Sequence, residues 1–406
     1  MKVVFLSNFY PRCRRDFYLS RSKSGLASAA DAHQYAIALG LRDACEDFEI
    51  VNSPSIFPYP IHYMDKSIPS EVIEENGLVI NNVGSSTIME YQFISRYKSV
   101  YTELKKIVRN TKDEVYIVVY AVNISLMKAA TKIKKAYKNV KLCLIVPDLP
   151  EDMQTHSGLV TKLLWGYRNL YFGSPSYYYA QFDSFVLLTK YMQEKIGCSD
   201  DQFIVSEGVY EEQTVKREAH AEDGVTFNIF YGGMLYEKFG IKNLLDAFSM
   251  IGNPDIHLTL CGTGDCVEHI MEMAASNPRL HYLGVVPRDV ALAEQTKASL
   301  LVNPRMPDGN PFTRYSFPSK TMEYLASGTP ALIYQLDGIP SGYYDFCYTL
   351  DKNHLSPQDL VGKILSIYNE SLANRLELAK KARKFILEDK NAQVAGKQIY
   401  ELLKRT

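Results

Sequence analysis

Tryptophan is nearly missing from this chain, with Trp165 alone, and so is any long apolar run. No segment approaches the ~18 consecutive apolar residues of a spanning helix, which excludes an integral membrane protein. The start, MKVVFLSNFY, has four apolar residues before Ser7 and Asn8. That is too short for the core of a secretory signal, so a cytoplasmic protein is expected. Charge of one sign is lacking as well: 45 Lys+Arg stand against 46 Asp+Glu, a net charge of -1. A polyanion-binding surface usually leaves a basic excess, so no nucleic acid partner is expected; a local pocket for one small anion remains allowed. The seven cysteines include no CxxC pair and are odd in number. Two lie in apolar runs, KLCLIV and LTLCG, which fits buried free thiols in a reducing compartment.

Several chemical signatures are also missing. The turn Gly262-Thr263-Gly264 fails the dinucleotide pattern because Val267 occupies the third glycine's place. No GxxxxGK[ST] phosphate loop, HExxH, DxD triplet or GxSxG elbow occurs, and the eight histidines are dispersed. A redox cofactor, a P-loop nucleotidase, a metal centre and a serine hydrolase therefore have no footing, and neither metal nor resident cofactor is expected. Asp148 and Asp152 flank a proline turn and read as turn and cap residues.

What the chain does hold is an alternation of short apolar runs and amphipathic stretches over 406 residues. VVFL, VYIVVYAV, KLCLIV, FNIFYGG, HLTLCG and SLLVNP have strand length and are apolar on both faces. Helical spacing at three and four separates them, as in LASAADAHQYAIALGLRDA and NLLDAFSMI. This pattern predicts an α/β fold with parallel sheets. The stretch 53–88 is rich in Pro, Tyr and Asn and reads as irregular. EEQTVKREAHAEDG, Glu211–Gly224, is charged and poor in apolar residues, and is expected to join two domains. The division predicted is 1–210 and 211–390, each a doubly wound, Rossmann-like unit, with the last helix, about 391–406, returning to the first. Ligands of such units bind at the carboxyl ends of strands.

The segment LVNPRMPDGNPFTRYSFPSKTMEYLASGTP carries the strongest chemistry. A strand ends at Asn303-Pro304, and a helix begins after Pro318, with Ser319 the expected N-cap. The N–H groups of Lys320, Thr321 and Met322 would then face an anion, with Lys320 adding a full charge. Glu323, one turn in, is placed to accept two hydroxyl hydrogen bonds, as from a ribose. An ordinary capped helix with a solvated Glu323 is the alternative. Gly232-Gly233 after FNIFY and Gly262/Gly264 after LTLC are further turns where a phosphate can approach the backbone.

Taken in order, FYGGMLYEKFGIKNLLDAF, HLTLCGTGD, NPRLHYLGVVPRDVALAEQTKASLLVNPR and FTRYSFPSKTMEYLASGTPAL resemble the C-terminal domain of family 4 glycosyltransferases of the GT-B fold. The bacterial surface-polysaccharide (exopolysaccharide) type is the most similar variant. The first half resembles the group more loosely, through VPDLPEDM, FDSFVLLTKYM and IVSEG. The resemblance implies two facing Rossmann-like domains, an N-terminal acceptor domain and a C-terminal donor domain for a nucleoside-diphosphate-sugar of UDP or GDP type. Glu323 would hold the ribose, and Phe317 and the Ser319-Lys320-Thr321 helix start would line the diphosphate site. Lys320 and Glu323 would serve catalysis. Gly284, Val285 and Val286 would lie beside the base, Gly233, Lys238, Gly262 and Gly264 near the phosphates, and Gly25 would approach from the first domain.

The sequence departs from the family at Tyr315, where the first of two glutamates belongs. Met234 and Phe239 stand at the usual arginine and lysine positions, and Asn123 at that of a strand-end histidine. The function implied is a retaining, metal-independent hexosyltransferase acting on a glycan or lipid-linked acceptor hydroxyl. A weakly active nucleotide-sugar-binding partner subunit and a nucleotide-sugar epimerase are the alternatives. The aromatic segment 157–181 reads either as a packed loop or as a contact for a lipid-linked acceptor or the membrane face.

Overall fold

The computed structural model describes residues 1–26, 29–89, 91–149, 172–211, 226–307, 309 and 312–406. The acidic-basic stretch 212–225 and most of the aromatic segment, including Trp165 and Asp152, lie outside them. The chain divides into two compact units, Met1–Glu211 with Asn391–Thr406, and Glu212–Lys390. Both are α/β. Among the described residues no helix is long and apolar enough to cross a membrane.

Among the described residues the first unit holds ten strands: β1 (Lys2–Ser7), β2 (Asp47–Asn52), β3 (Ser67–Ile68), β4 (Glu71–Glu75), β5 (Leu78–Asn82), β6 (Ser85–Ser86), β7 (Val115–Tyr120), β8 (Val140–Val146), β9 (Ser184–Leu187) and β10 (Phe203–Val205). Eight of them form one sheet in the order β10-β9-β8-β7-β1-β2-β5-β4. The order runs outward from β1 in both directions, so β1 and β7 flank the switch point. Every side chain of β7 is buried, as expected of a central parallel strand covered by helices on both faces.

The stretch 53–88 is not irregular throughout: β4 and β5 pair antiparallel and extend the main sheet, and β3 and β6 form a small ribbon. The hairpin turns on Asn76 and Gly77, with φ of 47° and 74°. Left-handed angles at both central residues define the tight turn that Asn-Gly favours. The strands alternate as a half-buried hairpin should, with Ile73, Leu78 and Ile80 inside and Val72 and Val79 exposed.

The helix Ala392–Arg405 packs on the helix Ala29–Ala44. Glycine makes this possible. A methyl group at Gly40 would overlap the backbone of Ala392, and one at Gly396 the backbone of Gly40. Ile399, Leu402 and Leu403 thereby enter the same core as Phe5, Val118 and Ile145.

The second unit holds β11 (Phe227–Met234), β12 (Ile256–Thr263), β13 (Leu280–Tyr282), β14 (Leu300–Asn303), β15 (Ala331–Tyr334) and β16 (Tyr348–Leu350). They form one sheet in the order β13-β12-β11-β14-β15-β16, parallel throughout. This is the doubly wound order, and its switch point lies between β11 and β14. The short edge strand β16 carried too few residues to stand out in the sequence.

Candidate functional site

At the carboxyl end of β11 the chain runs Gly232-Gly233-Met234. Gly233 has a φ of 145°, which side-chain-bearing residues rarely adopt. Its α-carbon is the floor on which Lys320 lies: a methyl group there would overlap Cε and Nζ of that lysine. Gly262, on β12, is backed against Gly233 so closely that a methyl group would overlap the Gly233 carbonyl. Gly264 likewise lies against the backbone of Leu235. Three glycines thus leave backbone bare at the ends of neighbouring strands, beside the switch point.

Lys320 arrives from the helix Ser319–Ser327, whose left-handed C-cap is Gly328. Its ammonium stands 5.6 Å from the centre of the Tyr231 ring. The side chain is half-buried, and no described residue gives it a hydrogen bond or an ion pair. Burial pulls its pKa below the ordinary 10.5, while the charge of Glu323 pulls it up. A cation in this state is poorly solvated and has Glu323 nearby but no direct ion pair, so it favours an incoming anion.

The helix start itself differs from expectation. Pro318, not Ser319, is the N-cap; it offers no side-chain cap, and Ser319 is the first helical residue and exposed. The Thr321 N–H is not free, because it donates to the Pro318 carbonyl at 2.8 Å. The Thr321 side chain is fully buried, so its hydroxyl faces inward. Phe317 also belongs to the interior, with its ring 5.2 Å from that of Tyr343. Of this expected cluster, Lys320 is the member that combines charge with access.

Glu323 is not the solvated residue of the bland reading. Its two carboxylate oxygens accept from Arg288 Nη2 at 2.9 Å and from Gln295 Nε2 at 2.8 Å. This fixes the carboxylate's orientation while leaving further lone pairs for hydroxyl donors. Arg288 and Gln295 both lie on the helix Arg288–Lys297, directly after Gly284-Val285-Val286-Pro287. Gly284 is left-handed, and its carbonyl accepts from the Gly262 N–H at 2.8 Å, tying this loop to the glycine cluster. Val285 is an apolar residue that is 76% exposed.

Lys238 is exposed in the short helix Glu237–Phe239, near the rings of Tyr236 and Phe239. Arg305, which sequence reasoning passed over, follows β14 on the other side of the switch point. It donates to Ser316 Oγ at 2.8 Å and lies over the Phe312 ring. A basic residue just beyond a strand end is the signal that could have found it.

In the first unit, Gly25 is left-handed, with φ of 74°, and its carbonyl accepts from Ser22 Oγ. Asn123 caps the helix Ile124–Ala136 by accepting from the N–H groups of Ser125 and Leu126. Of the aromatic segment, Phe172, Tyr178 and Tyr179 are packed inside while Tyr177 is exposed.

Residues 226–370 match the family model of glycosyl transferases group 1. The whole chain is similar to solved two-domain structures of the GT-B fold. Sucrose-phosphate synthase from Thermosynechococcus elongatus matches with a TM-score of 0.60 at 13% identity, over 100% of this chain and 99% of that one. The trehalose-6-phosphate synthase OtsA matches with a TM-score of 0.64 at 12% identity, over 100% and 99%. The lipopolysaccharide outer core galactosyltransferase WaaB matches with a TM-score of 0.59 at 12% identity, over 100% and 99%. No curated protein matches the chain by sequence. The chain therefore has the GT-B fold, and within its second unit residues 226–370 are similar to the glycosyl transferases group 1 model.

Proposed function

We propose that the chain is a retaining, metal-independent glycosyltransferase that moves a sugar from a nucleoside-diphosphate-sugar to an acceptor hydroxyl, in the assembly of a surface polysaccharide or related glycan. The single observation that carries this reading is the half-buried ammonium of Lys320, which makes no direct ion pair, laid over the bare backbone of Gly233. The leaving nucleoside diphosphate gains negative charge as the glycosidic bond breaks. A fixed cation in a poorly hydrated place stabilises that charge without reorganising, and supplies what a metal ion otherwise would. Glu323, held by Arg288 and Gln295, would accept from the ribose hydroxyls. Gly284, Val285 and Val286 would bound the base, and the second unit is then the donor domain and the first the acceptor domain.

In the retaining route the acceptor hydroxyl attacks from the leaving-group side and a donor phosphate oxygen takes its proton. Replacing Lys320 by Ala should lower turnover by about ten- to a thousandfold, or ~1.4–4 kcal/mol of barrier. Nucleoside diphosphate release from a donor panel, with EDTA present, measures it. Near-normal turnover in the variant removes Lys320 from the mechanism, and loss of wild-type turnover in EDTA removes metal independence.

A further inference from the structure

Arg96, in the second turn of the helix Gln92–Arg109, is buried in the first unit with 6% of its surface exposed. A buried guanidinium is normally matched by a carboxylate. Here the partner is a neutral carbonyl: Nη2 donates to Pro54 at 3.3 Å, and Nε has no hydrogen-bond partner among the described residues. Next to Pro54, the hydroxyl of fully buried Ser53 is also without a partner.

Both groups sit where α/β units take ligands. Ser53 and Pro54 follow directly on β2, and Ser53 and Ser55 donate backbone N–H groups to Ser7 and Asn8 at the end of β1. Tyr10, whose hydroxyl donates to the Ser55 carbonyl, is the ionisable neighbour Arg96 senses. Burial pushes Arg96 down to about 10, which leaves it charged at neutral pH. A positive charge without a carboxylate partner and a hydroxyl without a hydrogen-bond partner thus lie beside the segment that follows β2.

We propose that Arg96 and Ser53 form the inner wall of an oxyanion site in the first unit, which takes a phosphate or carboxylate group carried by the acceptor. The site stands on the geometry of this unit; its assignment to the acceptor rests on the transferase reading above. An oxyanion would pair the charge of Arg96 and accept from Nε and from Ser53 Oγ. The acceptor is then a charged sugar or lipid derivative, not a neutral glycan end.

The test is thermal unfolding of the full chain in inorganic phosphate or acetate against chloride at equal ionic strength. Wild-type protein and Lys320→Ala should both gain about 2–4 °C at tenfold excess of one oxyanion over its Kd. The larger gain tells phosphate from carboxylate. Arg96→Met should show no gain, and in chloride should melt at or above wild type, because an uncompensated buried charge has been removed. An equal gain in Arg96→Met overturns the proposal. So does no gain in Lys320→Ala, which would assign the anion to the second unit and leave the donor site standing. If Arg96→Met fails to fold, Ser53→Ala decides: a smaller gain supports the site and an unchanged one overturns it.

Discussion

Lys320 and Gly233 explain each other. A lysine in the first turn of a capped helix is unremarkable until the residue beneath it lacks a Cβ. Gly233→Ala would place a methyl group into the lysine side chain, in a backbone conformation alanine avoids. Affinity for the donor nucleotide should then fall about tenfold or more, ~1.4 kcal/mol. Titration calorimetry of the variant checks it, and unchanged affinity would mean that the lysine's position is unimportant. His33 offers a pH test in the other unit. Its ring nitrogens are inside, with Nδ1 3.0 Å from the Tyr120 hydroxyl and Nε2 unpartnered, and burial lowers its pKa from 6.5 to about 4. The unfolded chain therefore binds a proton that the native one refuses between these values, so stability is lost as pH falls from 6.5 towards 4. His33→Gln should remove about one proton from that dependence in urea titrations; an identical acid limb contradicts it. The sequence exposed Lys320 and Glu323 through their spacing from Pro318. It could not expose Arg288 and Gln295, which reach Glu323 from 35 and 28 positions away. Nor could it reveal that Thr321 faces inward.

Elements were legible where period and length were both clear. The strands β1, β7, β11 and β12 are continuous apolar runs, and the helices between them keep a three-to-four spacing. The hairpin β4–β5 was missed although its Asn76-Gly77 turn is a strong local signal, because the surrounding Pro and Tyr masked the alternation. Strand β16 is three residues long and leans on β15 for its pairing. The contact of the last helix with Ala29–Ala44 depends on Gly40 and Gly396, whose roles appear only when the two backbones meet. Gly40→Ala should cost about 1–3 kcal/mol by overpacking. Chemical denaturation reads this directly, and a neutral effect would show that the helix pair can separate without loss.

At the scale of the whole molecule, two doubly wound units each place their open carboxyl ends beside a strand-order reversal. In the second unit that place holds a cation on bare backbone, with a fixed carboxylate on the same helix. The near-zero net charge suits such a protein, since a small anion needs a few placed charges and not a basic face. A donor site at this place must bind a nucleoside diphosphate. Thermal unfolding with UDP, GDP and ADP, for wild type and Lys320→Ala side by side, tests it most directly. One nucleotide should raise the wild-type midpoint as RT ln(1+[L]/Kd) requires, and lose most of that effect in Lys320→Ala. No shift with any nucleotide, or the same shift in the variant, would contradict it.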